Sequence, residues 1–349
     1  MSTTASTILC GRVMRSNFPK IAELADQYHI PYDQKQAHSL KYHQYLCTLI
    51  LTRTTSTNLT SMQTVFKVFL NNIIQISPKD WKSIEPHVGS PESGILGLMF
   101  LQQQYAHIMT PWLTDWTQLY DMLKPMYSLK FDDIHVPWHY VGFSWEPSTS
   151  TLLYNKAHGS SLVKTNVRFR VTLLTIKYGR HQYHANILLY DTLTHILEVF
   201  DPYNDPTDSH DDILFAKLST IYKQHDQLFV HVSRPTIRSI GLQNIQLAEN
   251  KSDMGFCQPW VFLYTQMRLT FPNQIPESLP FLFQVWLEEQ QSTFTDFITK
   301  YSATMMTLTR QMLIRLLDTE EYSKYEDIRI PLLMSCIEQM MNHNAFIAC

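Results

Sequence analysis

One histidine, one aspartate and one cysteine carry the chemistry open to this chain. His184 lies in the run Tyr183-His184-Ala185-Asn186-Ile187-Leu188-Leu189-Tyr190-Asp191. Asp201 follows Ile196-Leu197-Glu198-Val199-Phe200, and Cys257 stands in Gly255-Phe256-Cys257-Gln258-Pro259-Trp260. An imidazole beside a thiol generates a thiolate nucleophile, and a carboxylate on the other ring nitrogen orients the imidazole and stabilises its charged form. If the three meet, the chain can attack a carbonyl carbon as a cysteine peptidase does. Each residue taken alone has a plainer reading. A core histidine is often satisfied by backbone, Asp-Pro is a common turn pair, and a cysteine on an apolar helix is ordinarily packing.

The elements around these residues decide between the two. Period-two alternation places His184, Asn186, Leu188 and Tyr190 on one face of a strand and Tyr183, Ala185, Ile187 and Leu189 on the other. Both faces are largely apolar, so the strand is expected to be central. Asp191 to His195 reads as a short polar turn into a second strand, Ile196 to Phe200. A hairpin hinged near Leu193 returns Asp201 to the side of His184. Pro259 suits the first turn of a helix opening at Cys257, where free N–H groups and the positive end of the helix dipole stabilise a thiolate. Trp260, Val261, Phe262, Leu263, Tyr264, Met267, Leu269 and Phe271 make that helix apolar nearly all round, hence buried. Asn186 and Trp260 are expected to support the site.

A developing oxyanion needs N–H donors. The Cys257 N–H is one candidate, and a side-chain amide between Asp201 and Cys257 is the other. Gln243 is preferred because it directly follows the Leu228 to Ile240 segment and a glycine turn at Gly241, with Gln246 as the alternative; a solvated loop position is the default for either. A metal set of His181, His184, His231 and Cys257 is disfavoured, because His181 and His184 point to opposite faces of a strand. No metal and no cofactor are expected.

Elsewhere, residues 15 to about 130 read as helical. Three starts, Ser77-Pro78, Ser90-Pro91 and Thr110-Pro111, place a hydroxyl cap before proline. Earlier helices are expected over 36–52 and 61–76. Strands are expected over 140–145, 151–154, 167–178, 183–190, 196–200 and 228–232, with one helix at 212–225. After Gly255 helices are expected over 258–269, 279–291, 294–317 and 330–341. The fold class is therefore α+β: a central mixed or antiparallel sheet packed on the buried cysteine helix, with a helical N-terminal region (1–130), a sheet-bearing domain (131–310) and a C-terminal helical extension (311–349).

The net charge of −3 and the lack of Lys/Arg-rich runs point to no nucleic-acid partner. The five cysteines are widely spaced and odd in number, which argues against a disulfide framework or a structural zinc site and for a reducing intracellular compartment. No apolar run reaches the roughly 18 residues of a membrane helix, so no membrane partner is expected.

The order His184, Asp201, glutamine, Cys257 resembles the ubiquitin-like-protein-specific proteases and the adenovirus protease (adenain), in the divergent form carried by large DNA viruses. His184-Ala185-Asn186, Phe200-Asp201-Pro202 and Gly255-Phe256-Cys257-Gln258-Pro259-Trp260 carry the likeness, which covers about residues 165–275. The 17 residues between His184 and Asp201 fit that group's hairpin. Two positions depart from the cellular members. Ala185 stands where they have Trp, and Lys251 stands six residues before the cysteine, where they have the glutamine. The resemblance implies a Cys-His-Asp peptidase that cuts peptide or isopeptide bonds after a small residue. Its protein substrate would be a ubiquitin-like conjugate or a viral structural precursor. Capsid or virion proteins are further implied partners, with the host cytoplasm or the virion as location. The alternative is a catalytically inactive peptidase fold serving as an interaction module.

Overall fold

The computed structural model describes residues 15–27, 32–40, 42, 43, 46, 47, 50, 64–74, 91–112, 116–126, 139, 141–154, 167–179, 183–203, 211–235, 241–249, 256–317, 334, 337 and 338. Ser77-Pro78, His181, Lys251, Gly255, Cys10, Cys336 and Cys349 lie outside them. The chain divides into two compact units, Met1–Asn72 and Ile73–Cys349.

The first unit carries the helix Phe18–Gln27. Its core is Ile21, Leu24, Ala25, Tyr42, Leu46, Cys47 and Ile50. His43 is fully buried there, stacked on Phe18 at 3.7 Å, with Tyr32 Oη 3.1 Å from Nε2 and the Ser39 carbonyl 3.0 Å from Nδ1.

The second unit is built on a seven-stranded mixed sheet. Its strands are β1 (Met109–Pro111), β2 (Gly142–Glu146), β3 (Thr151–Leu153), β4 (Phe169–Lys177), β5 (Tyr183–Asp191), β6 (Ile196–Phe200) and β7 (His231–Ser233). The order is β3-β2-β4-β5-β6-β7, with β1 also pairing β4. The β4–β5 and β5–β6 pairs are antiparallel, whereas β1 and β2 run parallel to β4, and β7 parallel to β6. The central position of β5 follows from its apolar residues on both faces. Among the described residues, the helices of this unit are α1 (Pro91–Tyr105), α2 (Trp116–Leu123), α3 (Asp211–His225), α4 (Leu242–Glu249), α5 (Cys257–Thr270), α6 (Ser278–Glu289) and α7 (Phe294–Leu317).

Leu188, Tyr190, Leu197 and Val199 form one core with Leu214, Leu218, Ile221 and Tyr222 of α3, so α3 covers one face of the hairpin. The cysteine helix α5 covers the other. Phe200 stacks on Tyr264 at 4.1 Å, and Arg268 binds both oxygens of Glu198 at 2.8 and 2.9 Å. Glu198 also accepts from Tyr264 Oη (3.0 Å), and Asp191 is held by Arg168 at 2.8 Å, with Arg268 3.7 Å away. A charge network thus bolts α5 to β5 and β6 where apolar packing would otherwise be continuous.

The hairpin loop is fixed at both ends. His195 takes a left-handed conformation (φ 56°), which β-carbon crowding makes uncommon, and its N–H bonds the Asp191 carbonyl at 2.7 Å. Its Nδ1 lies 2.8 Å from Asp226 Oδ2 at the end of α3. Holding this turn matters, because a one-residue slip would turn every side chain of β6 to the other face.

Two expectations are corrected. Thr110-Pro111 does not open a helix: Met109–Pro111 is a strand against Phe169–Val171. Proline needs no donor in so short a segment, and Trp112 N–H supplies the next bond to the Val171 carbonyl at 2.8 Å. The segment after Gly241 is not a loop but the helix α4. By contrast, α1 does open at Pro91, and α7 spans the range read for it.

Candidate active site

The β5–β6 register pairs Ile187 with Phe200, so Asp201 stands just past the strand end, opposite Asn186 and diagonal to His184. That offset brings Asp201 Oδ1 to 2.8 Å from His184 Nε2. The aspartate is held in turn: its Oδ1 accepts the Tyr203 N–H at 2.8 Å, closing a tight turn through Pro202. Asn186, with its amide nitrogen facing Asp201, donates to Asp201 Oδ1 at 3.2 Å and to the Ala185 carbonyl at 3.0 Å. The Tyr203 ring meets the imidazole edge-on at 5.9 Å and is 37% exposed, so it forms a wall between His184 and solvent.

Cys257 is the first residue of α5 and is 8% exposed. Its sulfur faces the His184 side chain and the backbone N–H groups of Ala185 and Gln258. With Nε2 engaged by Asp201, Nδ1 is the ring nitrogen left for the thiol. Burial alone would push the thiol up; His184 and the two N–H donors outweigh it and hold the thiol below its ordinary value. Burial likewise opposes charge on His184, but Asp201 and the thiol outweigh it and raise the imidazole to about 10. Both shifts act in the same direction, favouring a charged thiol beside a charged imidazole.

Phe256 makes no side-chain cap, Pro259 has no N–H, and the Trp260 N–H already bonds the Phe256 carbonyl at 3.1 Å. The N–H of Gln258 faces the sulfur, and the N–H of Cys257 stands at the same helix opening.

The glutamines separate. Gln246 is fully buried, and its Oε1 accepts the indole N–H of Trp260 at 3.1 Å, so it joins α4 to α5. Trp260 is fully buried against Phe283 and Phe294. Gln243 is 8% exposed, and its N–H bonds the Pro202 carbonyl at 2.8 Å, next to the Asp201 turn. Neither is a solvated loop residue. Gly241 serves a close approach and not a left-handed turn: a β-carbon there would lie 2.2 Å from the Pro202 carbonyl oxygen. Asn244 Nδ2 donates to the Tyr203 carbonyl at 2.6 Å, completing a clamp between α4 and the 201–203 turn.

The structure brings His184, Asp201, Asn186 and Cys257 near one another. Tyr203 and the Ala185 N–H were not foreseen. Tyr203 was legible only as the residue after Asp-Pro, and a backbone donor leaves no mark in side-chain chemistry. Among the described residues, no group of three or more His, Cys, Asp and Glu side chains is placed to hold a metal ion. No described helix is long and apolar enough to cross a membrane.

No protein-family profile matches the chain, and no curated protein does. Among solved structures, the chain is similar to ChlaDub1 from Chlamydia trachomatis, at 10% identity and a TM-score of 0.34, over 63% of this chain and 93% of that one. It is also similar to the Chlamydia abortus effector protein ChlaDUB, at 13% identity and a TM-score of 0.29, over 64% and 99%.

Proposed function

We propose that this chain is a cysteine peptidase or isopeptidase that uses Cys257, His184 and Asp201. The observation that carries this reading is the chain of contacts from the Asp201 carboxylate through His184 to the Cys257 sulfur, with the acid–imidazole bond at 2.8 Å. In the reaction, the Cys257 thiolate attacks the substrate carbonyl carbon, a C–S bond forms, and the carbonyl oxygen becomes an anion. The Cys257 N–H and the Gln243 amide receive that charge. The His184 imidazolium gives its proton to the leaving amine as the C–N bond breaks. Water then attacks the thioester, His184 takes its proton, and the thiolate departs. Asp201 keeps the imidazole in the right tautomer and balances its charge, and Asn186 and Tyr203 hold Asp201.

No cofactor enters this chemistry. The substrate is a protein cut after a small residue, in a ubiquitin-like conjugate or a viral structural precursor, as the motif resemblance implies. In this reading residues 131–310 carry the catalytic groups, and the flanking region 1–130 adds β1 to their sheet and α1 to the cysteine helix, with 311–349 flanking on the other side. The test is cleavage of ubiquitin-like fusions and glycine-containing peptides by wild type and Cys257→Ala. Loss of cleavage and of covalent capture by a carboxy-terminal electrophile in the variant supports the reading. Cleavage that survives in Cys257→Ala ends it.

A further inference from the structure

Helix α1 lies far upstream of the segments that carry the triad, yet it packs along the cysteine helix in register. Ser93 Oγ donates to Gln258 Oε1 at 2.7 Å, and Tyr105 Oη lies 3.0 Å from Thr270 Oγ1, each pair separated by 165 residues. Between them, a β-carbon on Gly97 would fall 2.1 Å from the Phe262 ring, so only glycine admits that ring. Gln104 accepts from Gln266 Nε2 at 3.0 Å, and Gln266 accepts from Tyr301 Oη at 2.6 Å. A constant offset means that the two helices run parallel, with contacts repeating every turn. Their N-terminal ends, and so the positive ends of both dipoles, lie together at Cys257.

The first turn of α5 has a specific need for such a neighbour. It lacks a side-chain cap, and its second residue, Gln258, turns its N–H toward the Cys257 sulfur. An uncapped turn frays unless something else fixes it. Gln258 is fully buried and Ser93 is 6% exposed, so their bond is shielded from water. The bond pins the residue that holds the sulfur without occupying the donors the sulfur and an oxyanion require.

We propose that Ser93 is a positioning residue for the nucleophile, acting through Gln258 to hold the first turn of α5 and the Cys257 sulfur that it carries. This rests on the peptidase reading of the site, and it makes α1 part of the catalytic platform. The test is the pH profile of Cys257 alkylation by iodoacetamide in the full chain, read by mass spectrometry. The proteins compared are wild type, Ser93→Ala, the near-isosteric Gln258→Met, their double variant and His184→Ala, with melting curves on each. Loss of one hydrogen bond predicts a roughly 2- to 10-fold slower reaction near pH 6 and a thiol profile displaced upward. Labelling of Cys47 should stay unchanged, and the double variant should be no slower than either single one. Wild-type profiles in both Ser93→Ala and Gln258→Met, beside a clear loss in His184→Ala, overturn the role of Ser93 and leave the peptidase reading standing. A wild-type profile in His184→Ala itself overturns both.

Discussion

Replacing Arg268 by Met is expected to cost the second unit about 3–5 kcal/mol. Arg268 is 3% exposed and Glu198 1%. The guanidinium holds both Glu198 oxygens at 2.8 and 2.9 Å and donates to the Pro272 carbonyl at 2.7 Å. Asp191 keeps its own partner, Arg168, at 2.8 Å, so the variant strands one buried carboxylate, not two. Burial already pushes Glu198 above the usual carboxylate range, and Arg268 is the main counterweight. Without it, Glu198 binds its proton more tightly in the fold than in the unfolded chain. The folded state then holds more protons, so the variant should gain stability relative to wild type as pH falls from 7 toward 5. Urea unfolding followed by tryptophan fluorescence at both pH values measures this, and the melting temperature should fall on the order of 10 °C. Adding Glu198→Leu should recover much of the loss, since removing both partners removes the stranded charge. A loss below about 1 kcal/mol, or no relative gain at pH 5, would refute the view that this network bolts the cysteine helix to the hairpin.

Four further outcomes are expected at the site. Asp201→Asn removes a charge-assisted hydrogen bond worth about 1.5–3 kcal/mol, so Cys257 alkylation near pH 6 should slow by about 10- to 150-fold. Hydrolysis of any cleaved substrate should follow a bell-shaped pH profile. Because the thiol is depressed, activity persists below its ordinary range and is lost as pH falls through the thiol's own value. The alkaline limb should lie near 10, where the imidazolium loses its proton. Gln243→Ala should lower kcat by about 10²- to 10³-fold with little change in melting, as for an oxyanion donor. Gln246→Ala, which strands the Trp260 indole N–H, should instead lower stability by about 1–3 kcal/mol and alter kcat less than tenfold.

The sheet and the site were unequally legible. Strands β4, β5 and β6 were readable because runs such as Phe169–Lys177 and Ile196–Phe200 are apolar and β-branched, and the turn after Asp191 sets a register that delivers Asp201 to His184. Helix α5 was readable from its unbroken apolar surface. Helix α4 was not, because Leu242–Glu249 is short and buries two glutamines, and a polar helix held by neighbours has no apolar stripe. Strand β1 was hidden by Thr110-Pro111, whose residue types also suit a helix start. The bond between Ser93 and Gln258 joins residues 165 apart, and no local spacing encodes it. In general, groups placed by one hairpin or one helix opening could be inferred, whereas groups placed by packing between distant elements could not.

The most direct test is the alkylation rate of each cysteine against pH, resolved by mass spectrometry, in wild type and His184→Ala. A thiolate–imidazolium pair predicts that Cys257 alone reacts fast near neutral pH and slows markedly when His184 is removed. A Cys257 no more reactive than Cys47, or equally reactive without His184, would contradict the pair and leave a peptidase-like site without its nucleophile.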